Sequence, residues 1–192
     1  MSEKSRTQVL GIVGSPRRGG NTEILVDQVL SGAAEAGALT QRVILSDLHI
    51  SPCRACDACK KTGQCAQRDD MPGLFQQMLA SQVWVLGTPI YWFGPSAQLK
   101  TFVDRWYGWC NAKDALVPDF RGKRIVLTMA MEDPDPNMAN YTAGMLTDSV
   151  HYLKGEVFAT VLAPGVVDRG AVLKHPDVLE AARRAGRGAI ET

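Results

Sequence analysis

Four of the five cysteines stand between positions 53 and 65, in the pattern Cys53-x2-Cys56-x2-Cys59-x5-Cys65. Three thiols at successive three-residue steps let one loop wrap a compact group, and Gly63 eases the turn toward the fourth. Cubane iron–sulfur clusters are held by four thiolates in runs of this kind. Lys60 and Lys61 would offset the negative charge of such a cluster. The run departs from the bacterial ferredoxin pattern in its last gap of five and in Ala66, which replaces the proline. Structural zinc is a second reading, although four-cysteine zinc sites usually join two well-separated pairs. Free or redox-active thiols are a third. Cys110 follows Trp109 and reads as a bystander.

A different chemistry sits at residues 14–22, GSPRRGGNT. Ser15, Asn21 and Thr22 are side-chain donors, Arg17 and Arg18 are cations, and Gly19 and Gly20 read as unencumbered backbone amides. A helix beginning near Thr22 would point its positive end into the same space, which suits a phosphate. Two nucleotide motifs are excluded. Gly20 stands where a Walker A loop has its lysine, and no G-x-G-x-x-G is present. The plain alternative, a polar strand-to-helix turn, leaves this concentration of donors unexplained.

Residues 88–95, TPIYWFGP, pack Tyr91, Trp92 and Phe93 between two prolines. Flat aromatic surface on a stiffened loop suits a planar conjugated ligand, or else packs on a neighbouring helix or subunit. A phosphate cradle and an aromatic shelf together fit a phosphorylated ring system, and flavin mononucleotide (FMN) meets that description.

The elements that must position these residues alternate. Apolar runs at 9–13, 42–45, 83–86, 124–129 and 157–162 read as strands. Helical patterns cover residues 22–36, 96–106, 139–153 and 178–189, and another helix starts near Asp69-Asp70-Met71-Pro72 with proline in its first turn. Five apolar strands alternating with helices predict a parallel sheet covered on both faces. The cradle then lies beyond the carboxyl end of strand one, where open α/β sheets bind ligands. Residues 108–119 and 132–137 read as surface loops.

Lysine plus arginine total 21 and aspartate plus glutamate 20, with charge spread evenly along the chain. Nucleic-acid binding driven by bulk charge is therefore not expected. No apolar stretch approaches the length needed to cross a bilayer, and crowded cysteines suit a reducing compartment, so the expectation is a cytoplasmic protein. The whole chain, 1–192, reads as one domain. His49, His151 and His175 are scattered outside metal-binding spacing, Asp69 and Asp70 read as helix caps rather than a catalytic pair, and no G-x-S-x-G elbow appears. Arg183, Arg184 and Arg187 read as a solvated basic face.

GSPRRGGNT after the first strand, Pro89-Ile90-Tyr91 after the third, and Leu99-Lys100-Thr-Phe-Val-Asp104-Arg105 in the following helix resemble the NAD(P)H-dependent FMN reductase family. The resemblance covers about the first two thirds of the chain. It implies a flavodoxin-like, doubly wound five-stranded parallel α/β sheet of order 2-1-3-4-5, with helices on both faces. By position, Ser15, Arg17, Asn21 and Thr22 would hold the FMN phosphate. Pro89, Ile90, Tyr91, Trp92, Phe93 and Gly94 would line the isoalloxazine, and Met131 and Glu132 would stand in a third flavin-facing loop. The iron–sulfur flavoproteins of that family carry a compact cysteine motif on the loop after strand two, which implies Cys53, Cys56, Cys59 and Cys65 as ligands of a [4Fe–4S] cluster.

The expectation is an FMN-dependent NAD(P)H oxidoreductase with no essential acid–base side chain, because the flavin carries the chemistry. Its partners would be a nicotinamide and a second acceptor: quinone, free flavin, dioxygen or the cluster. A non-enzymatic electron carrier is the rival, although flavodoxins are typically acidic and this chain is nearly neutral. A thiol or metal sensor that has lost its flavin is the third reading. Exposed aromatic and cysteine loops, with the family resemblance, lead to the expectation of a homodimer or homotetramer.

Overall fold

A computed structural model describes residues 6–108 and 120–191. Cys110 and most of the 108–119 loop lie outside the described residues. Strand β1 (Gln8–Val13) leads into α1 (Asn21–Glu35) and β2 (Leu39–Ile44). A short helix α2 (Ala58–Thr62) and α3 (Met71–Ala80) precede β3 (Val83–Tyr91). A two-residue strand β4 (Gly94–Pro95) follows, then α4 (Ala97–Asp104), β5 (Arg124–Ala130), α5 (Asn140–Tyr152), β6 (Glu156–Ala163) and α6 (Pro176–Gly188).

The five long strands are parallel, in the order β2-β1-β3-β5-β6, and β4 pairs antiparallel with the end of β3. This is the doubly wound order that the family resemblance implies, with β4 as an addition. Strand order reverses between β1 and β3, so their carboxyl ends open a crevice.

Alternate residues of each strand feed separate cores. Val9, Val13, Val83, Val85 and Val126 pack with α1 and α6, whereas Leu10, Ile12, Trp84, Leu86, Ile125 and Leu127 face α3, α4 and α5. Strands buried on both faces must be apolar throughout, which is why they read as unbroken runs.

Helices α1 and α6 cross closely enough to require glycine. A Cβ at Gly32 would lie 2.0 Å from the Arg183 carbonyl oxygen, and one at Gly186 would lie 2.0 Å from that of Val29. This contact revises the solvated basic face. Arg183 and Arg187 reach across to Glu35 at 3.1 and 2.9 Å, and Arg183 also donates to Gln28 at 2.6 Å. Among the described residues no helix is long and apolar enough to cross a membrane.

Candidate functional site

The loop between β1 and α1 is built by its own polar groups. Ser15 Oγ accepts the Arg17 N–H at 3.2 Å, and the Arg17 carbonyl accepts the Gly20 N–H at 3.1 Å. Gly19 sits at φ +60°, a left-handed conformation that suits glycine, and donates its N–H to Glu23 Oε2 at 2.7 Å. The amides of Gly19 and Gly20 are thus engaged, contrary to the expectation from sequence. The donors free for an anion are the N–H groups of Asn21, Thr22 and Glu23, which have no intrahelical acceptor because they open α1. The positive end of the α1 dipole reinforces them.

Loop positions are fixed from behind. Gly14 donates to the Gly87 carbonyl at 2.7 Å, and the buried Ser96 hydroxyl donates to the Gly14 carbonyl. Ser96 also accepts the Leu99 N–H at 3.2 Å, capping α4, while its own N–H donates to Thr88 Oγ1 at 3.0 Å. One serine therefore ties the cradle to the loop after β3.

That second loop is a hairpin. Ile90 pairs with Pro95 and Tyr91 with Gly94, leaving Trp92 and Phe93 as a two-residue turn with φ +49° and +63°. Both positive angles belong to a turn type that favours Asn-Gly, and bulky side chains there carry strain. Thr142 Oγ1 donates to the Phe93 carbonyl at 2.9 Å, bracing the turn from α5. Trp92 is 95% exposed.

A cleft of about 200 Å³ lies between these loops, at the β1/β3 reversal. It brings together Ser15, Arg17, Asn21 and Thr22 with Pro89, Ile90 and Tyr91, and also with Met131 and Glu132. Trp92, Phe93 and Gly94 are not among the residues that line it, and Trp92 and Phe93 are exposed. Val166 and Val167 complete the wall. These two come from the loop after β6, which no motif marked. The Asn21 side chain is committed to that loop, donating to the carbonyls of Val166 and Asp168 and accepting from the Val172 N–H.

The cysteines border a separate cavity of about 330 Å³. Cys53, Cys56 and Cys65 are exposed and Cys59 is buried. All four cysteines line this cavity, with Phe75, Leu79, Arg105 and Tyr107 in its wall. Ala55 and Asp57 hold positive φ angles of 49° and 55°, so the backbone bends sharply between the cysteines. Among the described residues, no three histidine, cysteine or acidic side chains stand close enough together to hold a metal ion. The donor chemistry nevertheless suits a cluster, since four cysteines, each able to offer a soft thiolate, line one cavity. Cys65 Sγ also accepts from Arg105 at 3.3 Å and from the Gln67 N–H at 3.5 Å.

Arg105 is the buried strut behind this loop. It donates to the Ser51 carbonyl at 2.8 Å and pairs with Asp69, both side chains being almost fully buried. Burial pushes the Asp69 carboxyl up, but hydrogen bonds from Arg105, Ser51 and Met71 outweigh it and hold the group below its usual range. Asp69 accepts from the Met71 N–H at the start of α3, but the N-cap residue is Asp70, whose carboxylate accepts from the His49 N–H and makes no cap hydrogen bond, so neither acid is the side-chain cap the sequence suggests. At the cavity rim, Tyr107 and Lys60 both hydrogen-bond Asp57 and lower its pKa.

A doubly wound sheet with an anion-ready loop at its switch point defines an α/β fold whose crevice suits a phosphorylated ligand. The chain belongs to the NADPH-dependent FMN reductase family, whose pattern residues 7–132 match. An iron–sulfur flavoprotein of Methanocaldococcus jannaschii is 42% identical over 98 residues, 51% of this chain and 51% of that one. The chain thus spans about half the length of that relative. YwqN of Bacillus subtilis, whose name describes an NAD(P)H-dependent FMN-containing oxidoreductase, is 26% identical over 176 residues, covering 90% of this chain and 93% of that one. Among solved structures, an NAD(P)H:quinone oxidoreductase from Methanothermobacter marburgensis superposes with a TM-score of 0.71 at 17% identity, covering 96% and 97% of the two chains. At that identity the likeness concerns the fold.

Proposed function

We propose that the chain is an FMN-dependent oxidoreductase that takes electrons from NAD(P)H and passes them to a second acceptor, a quinone, a flavin or an iron–sulfur centre. One observation carries this reading. The cleft between the β1 and β3 loops unites anion donors with a proline- and tyrosine-lined wall in a chain of the FMN reductase family.

Bound FMN would supply hydride acceptance and one-electron transfer in the same ring. The protein's own task is to hold and orient it. Ser15, Arg17, Thr22 and the first N–H groups of α1 bind the phosphate, with Asn21 acting through its backbone. Pro89, Ile90 and Tyr91 border the ring on one side, and Met131 and Glu132 approach it from the β5 loop. Met131 is itself fixed by backbone bonds, its N–H donating to Ala163 and its carbonyl accepting from Val166. Trp92 and Phe93 are assigned to association between subunits rather than to the flavin.

Cys53, Cys56, Cys59 and Cys65 would hold a [4Fe–4S] cluster, which would supply one-electron transfer. The iron–sulfur flavoprotein relatives and the shared cavity of the four thiols support this assignment. Structural zinc has less support, since the four cysteines form one run instead of two distant pairs.

An absorbance spectrum of the anaerobically purified chain, with iron and sulfide analysis and an NAD(P)H-oxidation assay, tests both parts. Flavin bands with NAD(P)H turnover are expected. A protein that stays colourless after FMN is added would sink the flavin reading. Flavin without iron or sulfide would remove the cluster alone. Flavin that NAD(P)H does not reduce would leave an electron carrier.

A further inference from the structure

The loop after β6 delivers a cation to the cradle that no sequence motif contains. Three consecutive carbonyls of that loop accept from cradle side chains. Asn21 Nδ2 donates to Val166 at 3.3 Å and to Asp168 at 2.9 Å, and the Arg17 guanidinium donates to Val167 at 3.2 Å. Beyond them, the Val172 N–H returns a bond to Asn21 Oδ1 at 3.1 Å. The segment is fastened on both sides of Arg169, so the position of that residue is set by the cradle itself.

Its guanidinium lies against the loop. A Cβ built on Gly19 would stand 3.1 Å from Arg169 Nη2 and 3.4 Å from Nε. Of the neighbouring cations, Arg18 pairs with Asp47, and Arg17 spends one of its donors on Val167. Arg169 is exposed and makes no hydrogen bond or ion pair among the described residues. The cradle also contains a carboxylate. Glu23, nearly buried, accepts the Gly19 N–H and is offset by Arg42 at 3.1 Å. An anion entering beside Glu23 gains from a further positive charge, and a planar guanidinium offers a phosphate two parallel donors.

We propose that Arg169 is a phosphate-binding residue that closes the cradle over the phosphate monoester of the flavin, with Asn21 as the positioning residue that brings it there. The proposal rests on the flavin reading above and adds a residue from outside its motifs. Gly19 is then required twice, for its backbone angle and for the space Arg169 occupies.

The test compares FMN with riboflavin, which lacks the phosphate, by flavin fluorescence titration of the purified full chain. Wild type should bind FMN more tightly than riboflavin. Arg169→Ala should weaken FMN about tenfold, the scale of one charge-assisted contact, and leave riboflavin within about twofold. Arg169→Lys should recover part of the loss, and inorganic phosphate should raise the apparent Kd for FMN by a larger factor in wild type than in Arg169→Ala. Equal losses for FMN and riboflavin would mean that Arg169 only supports the loop, and would overturn the proposal. An unchanged FMN preference in Arg169→Ala would overturn it too. A wild type with no preference for FMN would overturn the phosphate cradle itself, and Arg169 with it.

Discussion

The Arg105 guanidinium reaches the sulfur of Cys65 at 3.3 Å while its other nitrogen is locked to the Asp69 carboxylate. A residue from the end of α4 thereby holds a cysteine forty positions earlier in the chain. The Arg105–Asp69 ion pair is buried, so its geometry matters more than that of the surface ion pairs around it.

Breaking that pair should be expensive. Asp69→Asn leaves a buried guanidinium without its counter-charge, and a loss of about 3–5 kcal/mol in urea unfolding is expected. The pH dependence follows from the lowered Asp69 pKa. A carboxyl whose folded pKa lies below its unfolded value contributes fully above the unfolded pKa, about 4. That contribution is lost as pH falls through the folded value. Wild type should therefore lose stability below about pH 4 more steeply than Asp69→Asn. Parallel stability–pH curves for the two proteins would count against the pair.

Within the cradle, Arg17→Ala should weaken FMN binding by about 1.5–3 kcal/mol, the scale of a hydrogen bond to a charged group. Gly20→Ala should do comparable damage by another route, because its Cβ would stand 2.7 Å from the Arg17 carbonyl oxygen and force the loop to move. Unchanged FMN affinity in the Arg17 variant would remove that side chain from the site.

Asn21→Ala removes three hydrogen bonds that no neighbouring side chain replaces at the same place. Stability should fall by about 1–3 kcal/mol, since the Val166 carbonyl and Val172 N–H are left unsatisfied in buried positions. Native-state hydrogen exchange should show the Val172 amide opening faster while amides of β1 and β3 keep their protection. Protection lost uniformly over the sheet would argue against a local latch.

The Trp92–Phe93 turn tests whether strain is retained for association. Replacing it by Asn-Gly, as Trp92→Asn with Phe93→Gly, suits the positive φ angles and should stabilise the fold by about 1–2 kcal/mol. The same change removes two rings that are 95% and 52% exposed. A homodimer of wild type that dissociates more readily in the variant is expected in sedimentation across a dilution series. Wild type that stays at single-chain mass at high micromolar concentration would refute the subunit contact.

Much of the fold is legible in the residues because the governing rules are local. Continuous apolar runs mark strands that will be buried on both faces, as at Val83 to Leu86, and the alternation within them decides which of two cores each side chain enters. Pro72 in the first turn of α3 and Ser96 before α4 mark helix starts for the same reason. The spacing of Cys53, Cys56, Cys59 and Cys65 is covalent, so chain geometry alone keeps those thiols on one loop.

Distant partners decide the rest. Nothing local shows that Arg105 stands behind Cys65, that Asn21 spends its amide on residues near position 170, or that Arg169 arrives at Gly19. Tyr91, Trp92 and Phe93 look alike as neighbours in a sequence, yet the first lines the cleft and the other two form the two-residue turn beyond it. Backbone direction at a hairpin is set by two φ angles and by the strand pairing that closes it. Sequence thus determined which chemistry the chain carries and on which elements; the packing of those elements determined which side chains meet, because contacts across a sheet depend on register and crossover and not on separation along the chain.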